Sequence, residues 1–97
     1  MGLGINDIIG SKRGEVLSLA AQYGADNVRI FGSVLRGDAD ENSDIDLLCH
    51  FSEPDFFKRM DLKQSLEILL QRKVDIVSDR ALDKYIAPYI LQEAQPL

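Results

Sequence analysis

The chain has one cysteine, Cys49, among its 97 residues. It cannot close an internal disulfide, so nothing in the thiol content points to an oxidising compartment, and a cytoplasmic location is expected. No apolar run approaches the roughly 20 residues that a membrane-spanning helix needs. The first residues, Met1-Gly2-Leu3-Gly4-Ile5-Asn6-Asp7, lack the basic start and apolar stretch of a secretory signal. Internal repeats, low-complexity tracts and Ser/Gly-rich linkers are absent as well. What remains is one domain's worth of chain, expected to fold as a single unit over residues 1–97. A chain of this length buries roughly two-thirds of its unfolded surface, enough for one core. Hydrophobic residues make up 45% and charged residues 28%, which excludes the disordered, collagen-like and coiled-coil classes.

Positive charge is scarce. Eleven Lys and Arg stand against sixteen Asp and Glu, for a net charge of −5. Asp38, Asp40, Glu41, Asp44 and Asp46 put five acids in nine residues with no base among them, so the other 88 residues are balanced. Binding to a nucleic-acid backbone rests on clustered Lys and Arg, so direct nucleic-acid binding is not expected. An acidic knot this dense repels itself unless it is solvated in a loop or holds a cation.

The rest of the chain reads as short alternating elements. Val16, Leu19, Ala20 and Tyr23 recur at helical spacing over 12–23, with Gly24 as a stop. An earlier start, capped by Asn6, is weakened by Gly10 and Gly14. Residues 27–31 form a short strand, 33–36 a helical turn closed by Gly37, and 44–51 the strongest strand. Leu62, Leu66, Leu69 and Leu70 mark a helix over 61–72, and 73–77 a third strand. A last helix reaches about Glu93, with a break or restart at Pro88. Strands interleaved with helices predict an α/β or α+β layer, a small mixed sheet of about three strands covered by helices.

The chemistry gathers around Ile30-Phe31-Gly32-Ser33-Val34-Leu35-Arg36-Gly37 and Ser43-Asp44-Ile45-Asp46-Leu47. On a strand, Asp44 and Asp46 share a face, with Cα atoms about 6.6 Å apart, while Ile45 and Leu47 turn to the core. Two such carboxylates can converge on metal ions about 3.5–4 Å apart. Their hard oxygens suit Mg²⁺ or Mn²⁺. Asp75, flanked by Val74 and Ile76, is a third carboxylate that costs energy to bury alone. It joins the other two if its strand pairs beside 44–51. Upstream, Gly32 lets a phosphate come close to the backbone, the Ser33 hydroxyl can donate to it, and Arg36 is a candidate phosphate ligand.

Gly32-Ser33, ten residues, then Asp44-Ile45-Asp46 resembles the Gly-Ser-x10-Asp-x-Asp signature of nucleotidyltransferases with the DNA polymerase beta fold. Arg36-Gly37, Ser43-Asp44-Ile45-Asp46-Leu47-Leu48 and Val74-Asp75-Ile76-Val77 are similar to the minimal nucleotidyltransferase (MNT) group. The resemblance covers roughly residues 28–77. It implies that Asp44 and Asp46 bind two Mg²⁺ ions carrying a nucleoside triphosphate. Asp75 completes the acceptor side, and Gly32 and Ser33 hold the triphosphate. Stand-alone members of this size resemble the antitoxin half of HEPN/MNT toxin–antitoxin pairs. That resemblance implies a HEPN-domain RNase as partner and AMP transfer from ATP onto one of its tyrosines. The chain departs from the group at Val34-Leu35, where Arg-Ala or similar is frequent, and at Asp40-Glu41, where a basic residue and proline are common.

The same residues admit other readings. Asp38, Asp40, Asn42 and Asp44 fit alternate positions of a calcium loop. Ser43 stands where that loop needs glycine, Cys49 where it needs glutamate, and the flanks are strand rather than helix. Arg36 can pair with Asp38 or Asp40 at the surface. His50 reads as a surface or structural histidine, Cys49 as a small core residue, and Tyr85 and Tyr89 as packing residues. In functional terms the alternatives are an antitoxin acting by occlusion alone and a small-molecule nucleotidyltransferase. The segment around Leu82 to Leu91 is the expected docking face for a partner.

Overall fold

A computed structural model describes residues 2–97. A short helix α1 (Ile5–Ile8) and a 3₁₀ turn (Gly10–Lys12) lead into helix α2 (Arg13–Gln22). The order continues β1 (Ala25–Phe31), α3 (Gly32–Arg36), β2 (Ile45–Phe51), α4 (Phe56–Leu70), β3 (Val74–Ser78), α5 (Ala87–Glu93) and β4 (Gln95–Pro96). The sheet order is β3-β2-β1-β4. β2 runs parallel to β3 and antiparallel to β1, and β4 is antiparallel to β1. The sheet thus has four strands where about three were expected. The extra one is a two-residue edge, too short for any alternation, and its Pro96 fits an edge position.

Alternation along β2 divides the sheet's two faces. Ile45, Leu47, Cys49 and Phe51 join Ile30, Val28 and Val74 in the main core. Helix α2 covers them with Val16 and Ala20, and α4 with Leu62, Leu66 and Leu70, each set repeating every fourth residue. Burying side chains of this size stabilises a fold by about 1.5–3 kcal/mol each before entropy is subtracted. Asp46, Leu48 and His50 occupy the other face. Leu48 is wholly buried there, outside the main core cluster.

The helix ends follow local chemistry. Asp55 caps α4 by accepting a hydrogen bond from the Lys58 N–H at 3.1 Å, so the helix starts at Phe56 rather than near Asp61. α2 begins at Arg13, and α1 starts after Gly4, whose N–H donates to Asp7 Oδ2 at 2.8 Å, rather than at an Asn6 cap. Pro88 lies in the first turn of α5, where its missing N–H costs nothing. A bulge between Asp26 and Arg29 in β1 is taken up by Asn27 at φ 47°. Among the described residues no helix is long and apolar enough to cross a membrane.

Candidate active site

β1 delivers Phe31 to the edge of helix α3, and the turn between them is Gly32 at φ 80°. Gly37, also at φ 80°, ends the same helix, with its N–H donating to Val34 O at 3.3 Å. The single helical turn expected over 33–36 is therefore present, bounded by two left-handed glycines. Next to it, Asp46 in β2 is the register partner of Phe31 on one side and of Asp75 on the other. The expected pairing of the 74–78 strand beside β2 is what brings these two carboxylates to facing positions. Asp44 lies just before β2 rather than on it.

The three acids differ in setting. Asp46 is partly buried and Asp75 is exposed. The Asp46 carboxyl is held above the usual carboxylate range, by burial first and then by the charges of Asp75 and Asp44. Arg36 pulls it down and Glu93 pushes it up, so all four charges bear on this one group. Among the described residues no three His, Cys, Asp or Glu side chains are gathered closely enough to hold a metal ion as they lie. Asp46 and Asp75 are register partners and Asp44 lies two residues before Asp46, without a closed ligand set. The donor set itself, hard carboxylate oxygens, fits Mg²⁺ or Mn²⁺.

The acidic loop before Asp44 is fixed at both ends. Asp40 Oδ1 accepts the Asn42 N–H at 2.8 Å and the Ser43 hydroxyl at 3.1 Å, and these bonds hold its carboxyl below the usual range. Arg72 Nη1 donates to the carbonyls of Asp40 at 2.6 Å and Ser43 at 2.8 Å. That interaction straps the loop to the α4–β3 junction and sets where Asp44 stands.

Arg36 is exposed and engaged twice. Its Nε is 3.5 Å from Asp38 Oδ2, and its Nη1 donates to Glu93 Oε1 at 2.7 Å. Glu93 is the residue that reading the sequence missed. No spacing rule connects the end of α5 to a turn 57 residues earlier. Tyr85 and Tyr89, expected to pack, are instead exposed, whereas His50 and Cys49 are structural as expected. His50 Nδ1 lies 3.1 Å from Asp79, which also meets Arg29 at 3.7 Å, and Cys49 is buried in the core. A cavity of about 450 Å³ between Phe51, Phe56, Arg59, Ser78 and Arg80 lies at the far ends of β2 and β3, away from the acids.

Residues 16–97 match the family described as "Polymerase beta, Nucleotidyltransferase". The chain belongs to this nucleotidyltransferase family. It is 40% identical over 76 residues to the protein adenylyltransferase MntA of Thermococcus cleftensis, covering 77% of each chain. It also resembles a solved structure provisionally named a minimal nucleotidyltransferase, with 49% identity, 90% of each chain covered and a TM-score of 0.82. A complex of a tri-AMPylated Shewanella oneidensis HEPN toxin with its MNT antitoxin shares the fold. There the identity is 20%, the coverage 86% of this chain and 66% of that one, and the TM-score 0.65. The enzyme class and fold class expected from Gly32-Ser33 and Asp44-Ile45-Asp46 are thus those of the nucleotidyltransferase family.

Proposed function

We propose that this nucleotidyltransferase is the antitoxin of a HEPN/MNT pair and transfers AMP from ATP to a tyrosine of its HEPN-domain RNase partner in the cytoplasm. The observation that carries the reading is the facing register of Asp46 and Asp75 beside the Gly32 turn. The likeness to MntA, a protein adenylyltransferase, supports the class of transfer.

In this reading residues 1–97 act as one catalytic domain. Gly32 and Ser33 hold the triphosphate, whose oxygens the Ser33 hydroxyl and the guanidinium of Arg36 meet. Asp44, Asp46 and Asp75 would hold two Mg²⁺ ions, with Mn²⁺ as a substitute. When bound, these ions neutralise the charge that builds on the attacking and leaving oxygens. The difference in burial supports a division of sides. Asp46, partly buried against the glycine turn, is on the nucleotide side, and exposed Asp75 is open to a partner's side chain. A tyrosine oxygen forms a bond to the α-phosphorus as the α–β bridge breaks, pyrophosphate leaves, and the phenolic proton departs on the Asp75 side. Positioning and charge stabilisation account for most of such catalysis.

Docking is assigned to the C-terminal face. Tyr85, Ile86, Tyr89 and Leu91 are 76%, 54%, 73% and 48% exposed. Large apolar side chains clustered in the open mark a surface built for a partner. The same face supports the alternative of neutralisation by occlusion without catalysis. The acidic balance and the scarcity of Lys and Arg speak against nucleic acid as acceptor.

The test is incubation with labelled ATP, Mg²⁺ and the product of the neighbouring reading frame. The expected result is a mass gain of one or more AMP units on a toxin tyrosine, lost in the Asp44→Asn, Asp46→Asn protein. Full neutralisation of toxicity by that doubly substituted protein would favour occlusion instead.

A further inference from the structure

Arg36 is the cation closest to a role at this site, and its guanidinium does not hang loose. Nη1 donates to Glu93 at 2.7 Å and Nε lies 3.5 Å from Asp38. Nη2 makes no hydrogen bond among the described residues. Asp38 lies just past the Gly37 that ends α3, whereas Glu93 closes α5, 57 residues beyond Arg36. The ends of two separate helices therefore meet at this one side chain, beside Asp46.

We propose that Glu93 is the positioning residue for Arg36, fixing one edge of the guanidinium so that its remaining donors face the triphosphate of the bound nucleotide. The proposal rests on the reading above, in which Arg36 contacts phosphate. A free arginine samples many rotamers, and freezing them on binding opposes affinity. A clamp already made in the free protein removes that opposition. The planar guanidinium has five donors, so it serves a carboxylate and a phosphate at the same time. One effect runs the other way: a carboxylate near a polyanion repels it. Pairing with Arg36 offsets that repulsion, and the two effects predict opposite signs on substitution.

Glu93→Gln and Glu93→Ala in the full chain decide between them. Binding is measured by calorimetry with Mg²⁺ and α,β-methylene ATP, which cannot give up AMP. The dissociation constant is expected to rise by about 2- to 10-fold. In the transfer assay KM should rise alike while kcat stays nearly constant. In an Arg36→Ala background the Glu93→Gln change should add nothing, which a merely structural role would not produce. Thermal unfolding of each variant confirms that it is folded.

Unchanged or tighter binding in Glu93→Gln overturns the proposal, as does an equal effect with and without Arg36. If Arg36→Ala binds as the wild type does, the phosphate role of Arg36 falls, and this inference with it. If Arg36→Ala weakens binding and Glu93→Gln does not, only the assignment of Glu93 falls.

Discussion

Gly32 and Asp46 pack closely: a β-carbon at position 32 would meet the Asp46 carboxylate, which would have to swing aside. The glycine's φ of 80° is a second reason that no other residue suits the turn. Gly32→Ala should therefore lose stability by about 1–3 kcal/mol. For a domain of this size each kcal/mol moves the midpoint by roughly 4–8 °C. AMP transfer should fall by about 10²-fold, because a shift of about 1 Å in a positioning group costs that much. Calorimetry and the labelled-ATP assay check both, and an unchanged midpoint would contradict the packing described.

Asp46→Asn should separate stability from activity. Burial, then Asp75 and Asp44, raise the Asp46 carboxyl, so the folded chain binds that proton more tightly than the unfolded chain does. The contribution of this group is then greatest when protonated and is lost as pH rises through the carboxylate range. At neutral pH the ionised side chain is a cost that asparagine removes. The variant is expected to melt higher than wild type near pH 7, with the gap narrowing toward about pH 4. Its transfer rate should fall at least about 10²-fold, beyond the usual penalty for losing an outer-shell partner. Melting scans across pH would expose an opposite trend at once.

Cys49 should be chemically silent in the folded protein. Burial pushes its thiol up to about 12. Iodoacetamide at about pH 8 should leave the native protein unmodified and label it fully in urea. The folded state keeps a proton that the unfolded state gives up, so stability should decline as pH climbs above about 9. Rapid native labelling would mean that the sheet opens at β2.

Arg72→Ala leaves every carboxylate in place and cuts the two bonds that strap the loop at Asp40 and Ser43. Hydrogen exchange at residues 41–45 should quicken, and AMP transfer should drop by about 10-fold, the lower end of what lost supporting bonds cost. Unaltered exchange would show the Asp40 turn to be self-supporting.

Much of this was legible in the residues. Alternation at Ile45, Asp46 and Leu47 predicted which side chains turn inward. The four-residue spacing of Leu62, Leu66 and Leu70 predicted the face of α4. Gly32 and Gly37 predicted the ends of the short helix. The start of α4 was hidden because Phe56 and Phe57, 60% and 78% exposed, break the apolar stripe although Asp55 is a good cap. β4 carried no signal, since two residues have no period. Glu93 could not be found by spacing at all. Its relation to Arg36 exists only because α5 folds back to the site, and a surface acid near the end of a helix looks like any other. Asp75 lay between these cases: its alternation was visible, but its alignment with Asp46 depended on a parallel pairing that local pattern does not fix.

Ile30 finds its β4 partner only in Gln95, and Leu97 donates from its N–H to Val28 O at 2.9 Å. During vectorial synthesis, β1, β2 and β3 with all three carboxylates would leave the ribosome before α5 and this edge exist. A nascent chain would thus carry the acids before it can form the arginine clasp.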